Sequence, residues 1–155
     1  MKVFVTGGSG FVGRNLIGEL RGQGATVRAL ARSDKAIAAV EAAGAEPVRG
    51  DLDDGPALRE GMRGCEAVYH SAAHVDLWGD PAVFHPINVV GTERMLSSAL
   101  EAGVRRFVHV GTEAVLAGGR PIVRADESWP LPERPSGLYP LTKGLAERRV
   151  LAASC

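Results

Sequence analysis

Tyr139 and Lys143 stand four residues apart, and Thr112 precedes them in the run VHVGTEAVLAGG. On a helix, that spacing stacks a phenol and an ammonium on one face. The ammonium favours the phenolate, so the pair suits proton transfer on or off a carbinol oxygen. Y-x-x-x-K arises often by chance; its weight here is its place at the start of the helix expected after a fifth strand. Pro140 suits a first helical position there. Thr112 closes that strand, where a hydroxyl at the carboxyl end can bond a substrate oxygen. Glu113, next to it, is open to two readings, a further acid or a solvated residue.

A second set of residues opens the chain, in MKVFVTGGSGFVG. Gly8, Gly10 and Gly13 fit G-x-G-x-x-G, and Gly7, Gly10 and Gly13 give a parallel G-x-x-G-x-x-G spacing. Without Cβ atoms the chain turns tightly, approaches a ligand closely and packs a new helix onto its strand. The helix start then offers free N–H groups and a positive dipole end to a pyrophosphate. A ligand-free turn has the same glycines, but a strand before and a helix after favour dinucleotide binding.

Arg32 lies about twenty residues past the last of these glycines, where an acid would hold the ribose hydroxyls of NAD. An arginine suits the 2′-phosphate of NADP through a bidentate charged contact. NADP is therefore the expected cofactor, while Asp34, two positions on, keeps NAD open. Asp51, followed by Leu52, ends a third strand and is placed to accept from an adenine amino group. Its other reading is a helix cap, shared with Asp53 and Asp54.

Hydrophobic patterning supplies the elements that position these groups. Strands are expected at Lys2–Thr6, Thr26–Ala31, Glu46–Arg49, Ala67–His70 and 106–110. Helices are expected from Phe11, from a cap at Ser33 or Asp34 to a stop at Gly44, over 56–62, over 88–102, and from near Pro140. The alternation predicts parallel β-α-β units: an α/β, doubly wound Rossmann sheet. Residues 113–138, with Pro121, Pro130, Pro132 and Pro135, break the rhythm and read as a functional or mobile loop.

The chain has 155 residues, 45% of them hydrophobic, which fits one domain spanning 1–155. Eighteen basic and eighteen acidic residues leave no bulk field to draw it to nucleic acid or an anionic membrane, so a small-molecule substrate is expected. Cys65 and Cys155 have no metal-like spacing and no partners for a disulfide framework, so the expected compartment is the cytoplasm. His70 and His74 resemble a metal-binding pair only on a helix. His70 falls in a strand, so no metal is expected. Trp78 and Trp129 show no spacing that makes them a substrate wall.

With these elements placed, the sequence resembles the extended short-chain dehydrogenase/reductase family across essentially its whole length. The matching stretches are TGGSGFVG, Asp51-Leu52, VYHSAAHVD, NVVGT, FVHVGTEAV, Asp126-Glu127 and Tyr139-x-x-x-Lys143. Within it, the 3β-hydroxysteroid dehydrogenase and dihydroflavonol reductase branches are the most similar. The resemblance implies that Tyr139 is the general acid/base, Lys143 tunes it and bonds the nicotinamide ribose, and Thr112 orients the substrate oxygen. It implies that Phe11 and Val12 lie over the pyrophosphate, that Ser71, Ala72 and Ala73 line the adenine and ribose, and that Asn88 is a structural or proton-relay residue.

Three departures bear on the expectation. Thr112 replaces a common serine, and Glu113-Ala114 replaces the Asp-Glu pair of sugar-nucleotide dehydratases. Members also run to roughly 300 residues, a size typical of two packed domains, so the chain reads as the N-terminal part of a longer enzyme whose substrate domain lies elsewhere. An open outer edge on the fifth strand then invites pairing, and a homodimer is the expected assembly. The leading expectation is an NADP(H)-dependent oxidoreductase interconverting an alcohol and a ketone on a small apolar substrate. A sugar-nucleotide epimerase using NAD and a non-catalytic NADP-sensing domain are the alternatives.

Overall fold

The computed structural model describes residues 1–76, 78–119 and 121–153. The chain divides into two compact units, Met1–Ala73 with Arg94–Val110, and His74–Glu93 with Gly111–Cys155.

The first unit holds a five-stranded parallel sheet built of β1 (Lys2–Thr6), β2 (Thr26–Ala31), β3 (Glu46–Arg49), β4 (Ala67–His70) and β5 (Arg106–His109). The strand order is β3-β2-β1-β4-β5. This is the doubly wound arrangement expected, with the order reversing at β1. Val3, Phe4 and Val5 are wholly buried, as a central strand covered on both faces requires. Val3 and Val5 pack with Ile17, Leu20 and Val40 from α1 (Phe11–Gly22) and α2 (Asp34–Ala42). Phe4 points the other way, onto α3 (Gly55–Met62), where its ring fills the space a Cβ at Gly61 would need.

Helix starts explain much of the local order. Ser33 caps α2 by accepting from the Ala36 N–H, and Asp54 caps α3 by accepting from the Ala57 N–H. Each leaves one orphan amide satisfied, typically for about 1 kcal/mol. Gly10 opens α1 and has no side chain to offer, so α1 begins with no side-chain cap bond.

The second unit is helical. Asp80 caps α4 (Pro81–His85), which runs into a π-helical turn, Pro86–Val90, and then α5 (Gly91–Glu101), whose residues from Arg94 on belong to the first unit. The helix therefore starts seven residues before the expected 88. The expected loop over 113–138 contains a 3-10 turn, Glu113–Leu116, and ends in α6 (Leu138–Ala152). α6 begins before Pro140, which takes its third position rather than its first. Among the described residues, no helix is long and apolar enough to cross a membrane, and no group of His, Cys, Asp or Glu is placed to hold a metal ion. Cys65 is buried and burial pushes its thiol up; Cys155 lies outside the described residues.

Candidate functional site

In the first unit the glycine turn leads from β1 into α1. Gly7 has φ +70, and a Cβ there would sit 2.7 Å from the backbone nitrogen of Ala72. A Cβ at Gly13 would strike the Gly7 carbonyl. Gly10 donates its N–H to that same carbonyl at 3.0 Å. The glycines thus let three backbone segments meet, and Phe11 and Val12 stand out from the turn, Phe11 at 79% exposure. The uncapped first amides of α1 and this side-chain-free cradle fit a dinucleotide pyrophosphate.

Ser71 and Ala72 are held against the turn by bonds that sequence reading did not foresee. The Ser71 hydroxyl donates to the Thr6 carbonyl at 3.0 Å, and the Ala72 N–H donates to Thr6 Oγ1 at 3.2 Å. Thr6 Oγ1 also lies 2.7 Å from Nδ1 of the wholly buried His70. His70, not expected to be a metal ligand because it falls in a strand, is a buried strand-end partner of Thr6. Ala73 follows in the same segment and is partly buried.

Arg32 and Asp51 come together. Arg32 Nη1 lies 3.5 Å from Asp51 Oδ2, with both side chains exposed. Asp51 Oδ1 meanwhile accepts from the Leu52 N–H at 2.8 Å, and Leu52 is buried beneath. The α3 cap is Asp54, not Asp51. Asp34 is engaged by Arg49 in a second ion pair.

In the second unit, Tyr139 and Lys143 lie on α6 as the spacing predicts. Lys143 is only 4% exposed. Burial pushes its ammonium down from 10.5 to about 8, with Glu147 opposing the shift. Thr112 opens the 3-10 turn, its Oγ1 accepting from the Ala114 N–H at 3.2 Å. That turn packs on α6, where Val115 lies in contact range of Gly144, next to Lys143.

Asn88 sits on the π-helical turn and is 2% exposed. Its Oδ1 accepts from the His74 N–H at 2.8 Å, while Nδ2 donates to the His74 carbonyl at 3.1 Å and to Thr142 Oγ1 at 3.0 Å. Both ends of the amide are spent on protein partners. Of its two implied roles, the structural one matches these bonds. Thr142, which sequence reading passed over, donates in turn to the Leu138 carbonyl at 2.8 Å and so joins this clamp to the turn bearing Tyr139. A helix-disfavoured threonine beside Lys143 was the available signal.

The model of the NAD dependent epimerase/dehydratase family matches residues 3–154. A 4-hydroxy-2-methyl-3-oxo-4-farnesyl-3,4-dihydroquinoline-1-oxide ketoreductase of Stigmatella aurantiaca is 51% identical over 99% of this chain and 46% of its own length. A 3 beta-hydroxysteroid dehydrogenase/Delta 5-->4-isomerase of Mycobacterium tuberculosis is 37% identical over 97% of this chain and 42% of its own. A crystal structure of a short-chain dehydrogenase/reductase superfamily protein from Agrobacterium tumefaciens with bound NAD is 38% identical, with a TM-score of 0.81, over 97% of this chain and 44% of that one. The chain spans about half the length of the curated relatives it matches.

Proposed function

Since this chain belongs to the NAD dependent epimerase/dehydratase family, within the extended short-chain dehydrogenases/reductases, we propose that it serves an NADP(H)-dependent oxidoreductase interconverting a secondary alcohol and a carbonyl on a small apolar substrate. In this reading residues 1–155 are the dinucleotide-binding part of that enzyme. The observation that carries the chemistry is Lys143, a buried ammonium one helical turn from Tyr139.

A bound nicotinamide supplies or accepts the hydride at the carbinol carbon. The rest falls to the protein. Gly7, Gly10 and Gly13, with the first amides of α1, hold the pyrophosphate, and Phe11 and Val12 cover it. Ser71, Ala72 and Ala73 line the adenine and ribose, and Asp51 accepts from the adenine amino group. Arg32 binds the 2′-phosphate. Tyr139 donates or accepts the proton at its phenolic oxygen, Lys143 stabilises the phenolate and bonds the ribose, and Thr112 orients the substrate oxygen. The apolar substrate is supported by the ketoreductase and hydroxysteroid dehydrogenase relatives. Homodimerisation belongs to the same reading, supported by β5 lying at the end of the sheet; light scattering tests it, and a monomer at all concentrations refutes it.

Calorimetric titration with NADP⁺ and NAD⁺ tests the cofactor, with tighter NADP⁺ binding expected and lost in Arg32→Ala. In the full enzyme, Tyr139→Phe keeps cofactor affinity while turnover falls by at least about a hundredfold, the usual scale for a lost acid/base. Unaltered turnover refutes the assignment. A second reading, an epimerase using NAD, is favoured by the NAD-bound structural relative; it predicts NAD that stays bound through purification.

A further inference from the structure

The two residues that would distinguish NADP from NAD are both engaged by partners from the end of β3. Arg32 faces Asp51, and Asp34 faces Arg49. The register explains the crossing: Ala31 of β2 pairs with Arg49 of β3, so the residues leaving the two strands emerge side by side. Asp34, the candidate for ribose hydroxyls, is thereby occupied by a guanidinium. Arg32, the candidate for a 2′-phosphate, is occupied by a carboxylate.

The hold on Arg32 is a loose one. It is a single contact of 3.5 Å to Asp51 Oδ2, in the open. Oδ1 of the same carboxylate accepts from the Leu52 N–H at 2.8 Å, and it is Oδ2 that makes the contact with Arg32. A phosphate dianion can offer a bidentate grip, with twice the charge. It displaces Asp51 from Arg32, but must do so beside a carboxylate that stays in place and repels it.

We propose that the negative charge of Asp51 is a specificity-determining element that weakens 2′-phosphate recognition by Arg32, leaving the chain less selective for NADP over NAD than its arginine alone would make it. This rests on the assignment of Arg32 made above. Asp51→Asn isolates the charge: its amide oxygen still accepts from the Leu52 N–H and from an adenine amino group. Asp51→Ser, which also keeps a neutral acceptor, repeats the test should the Asn variant not fold.

The experiment titrates the protein with 2′,5′-ADP and with 5′-ADP, which differ only in the 2′-phosphate. Asp51→Asn should raise the affinity for 2′,5′-ADP relative to that for 5′-ADP about fivefold, the scale of an exposed ion pair. In an Arg32→Ala background the same change should gain less than about twofold. An unchanged ratio between the ligands in Asp51→Asn overturns the proposal, as does a gain undiminished without Arg32. Those results leave the Arg32 assignment standing if wild type prefers 2′,5′-ADP and Arg32→Ala does not. Equal affinity for both ligands in wild type and Arg32→Ala overturns the assignment and the proposal together.

Discussion

The buried Lys143 gives the chain a pH dependence with a definite sign. Its ammonium is pushed down from 10.5 to about 8, chiefly by burial. Between those values the unfolded chain holds a proton at this site that the folded chain has released. Stability therefore rises with pH through that window, and the burial penalty is fully present below it. The difference in protonation between about pH 7 and about pH 10 amounts to about 2 to 3 kcal/mol at 1.36 kcal/mol per unit. Lys143→Met keeps the bulk and removes the titration. Urea unfolding of both proteins at the two pH values measures the effect, since every other titrating group is common to both. Wild type should gain about 2 to 3 kcal/mol more than the variant on going to the higher pH. Parallel profiles, agreeing within about 0.5 kcal/mol, would refute the reasoning and place the ammonium in water.

Two further outcomes follow from packing and polar geometry. Asn88→Ala strips His74 of both its side-chain bonds and Thr142 of a donor, which should cost about 2 to 4 kcal/mol by denaturant unfolding; a loss below about 0.5 kcal/mol would mean the clamp is idle. Gly13→Ala drives a methyl into the Gly7 carbonyl and should weaken 5′-ADP binding at least about tenfold in calorimetry, as a shifted turn requires. Unchanged affinity would sink the cradle.

What could be read from residue order and what could not divide along physical lines. Lys2–Thr6, Thr26–Ala31, Glu46–Arg49 and Ala67–His70 form where expected, because turn residues end each run sharply; in Glu46–Arg49, where Val48 alone is buried, those boundaries carry the reading more than apolar content does. The helix expected to begin at 88 begins at Pro81, and Pro86 lies inside the helical run. The chain absorbs that proline at the entry to a π-helical turn, behind an Asp80 cap. The glycine turn was legible, since only glycine fits the close approaches seen at Gly7 and Gly13. The Thr6–His70 and Asn88–Thr142 bonds were not: their partners are 64 and 54 residues apart, and no local pattern encodes a tertiary contact. Lys143 was legible as a residue type at a spacing, while its burial depends on how α6 packs in its own unit.

One asymmetry among the helix starts reaches beyond the site. Ser33, Asp54 and Asp80 each close their own helix, whereas α1 begins at Gly10 with nothing of its own to close it. The missing cap is one that an anion from solution can supply, and in the cofactor reading proposed above the bound nucleotide would be a structural component of the native state. By mass action, a nucleotide at a hundred times its dissociation constant adds about 2.7 kcal/mol to folding. Under the cofactor reading proposed above, resistance to proteolysis should then rise with dinucleotide concentration.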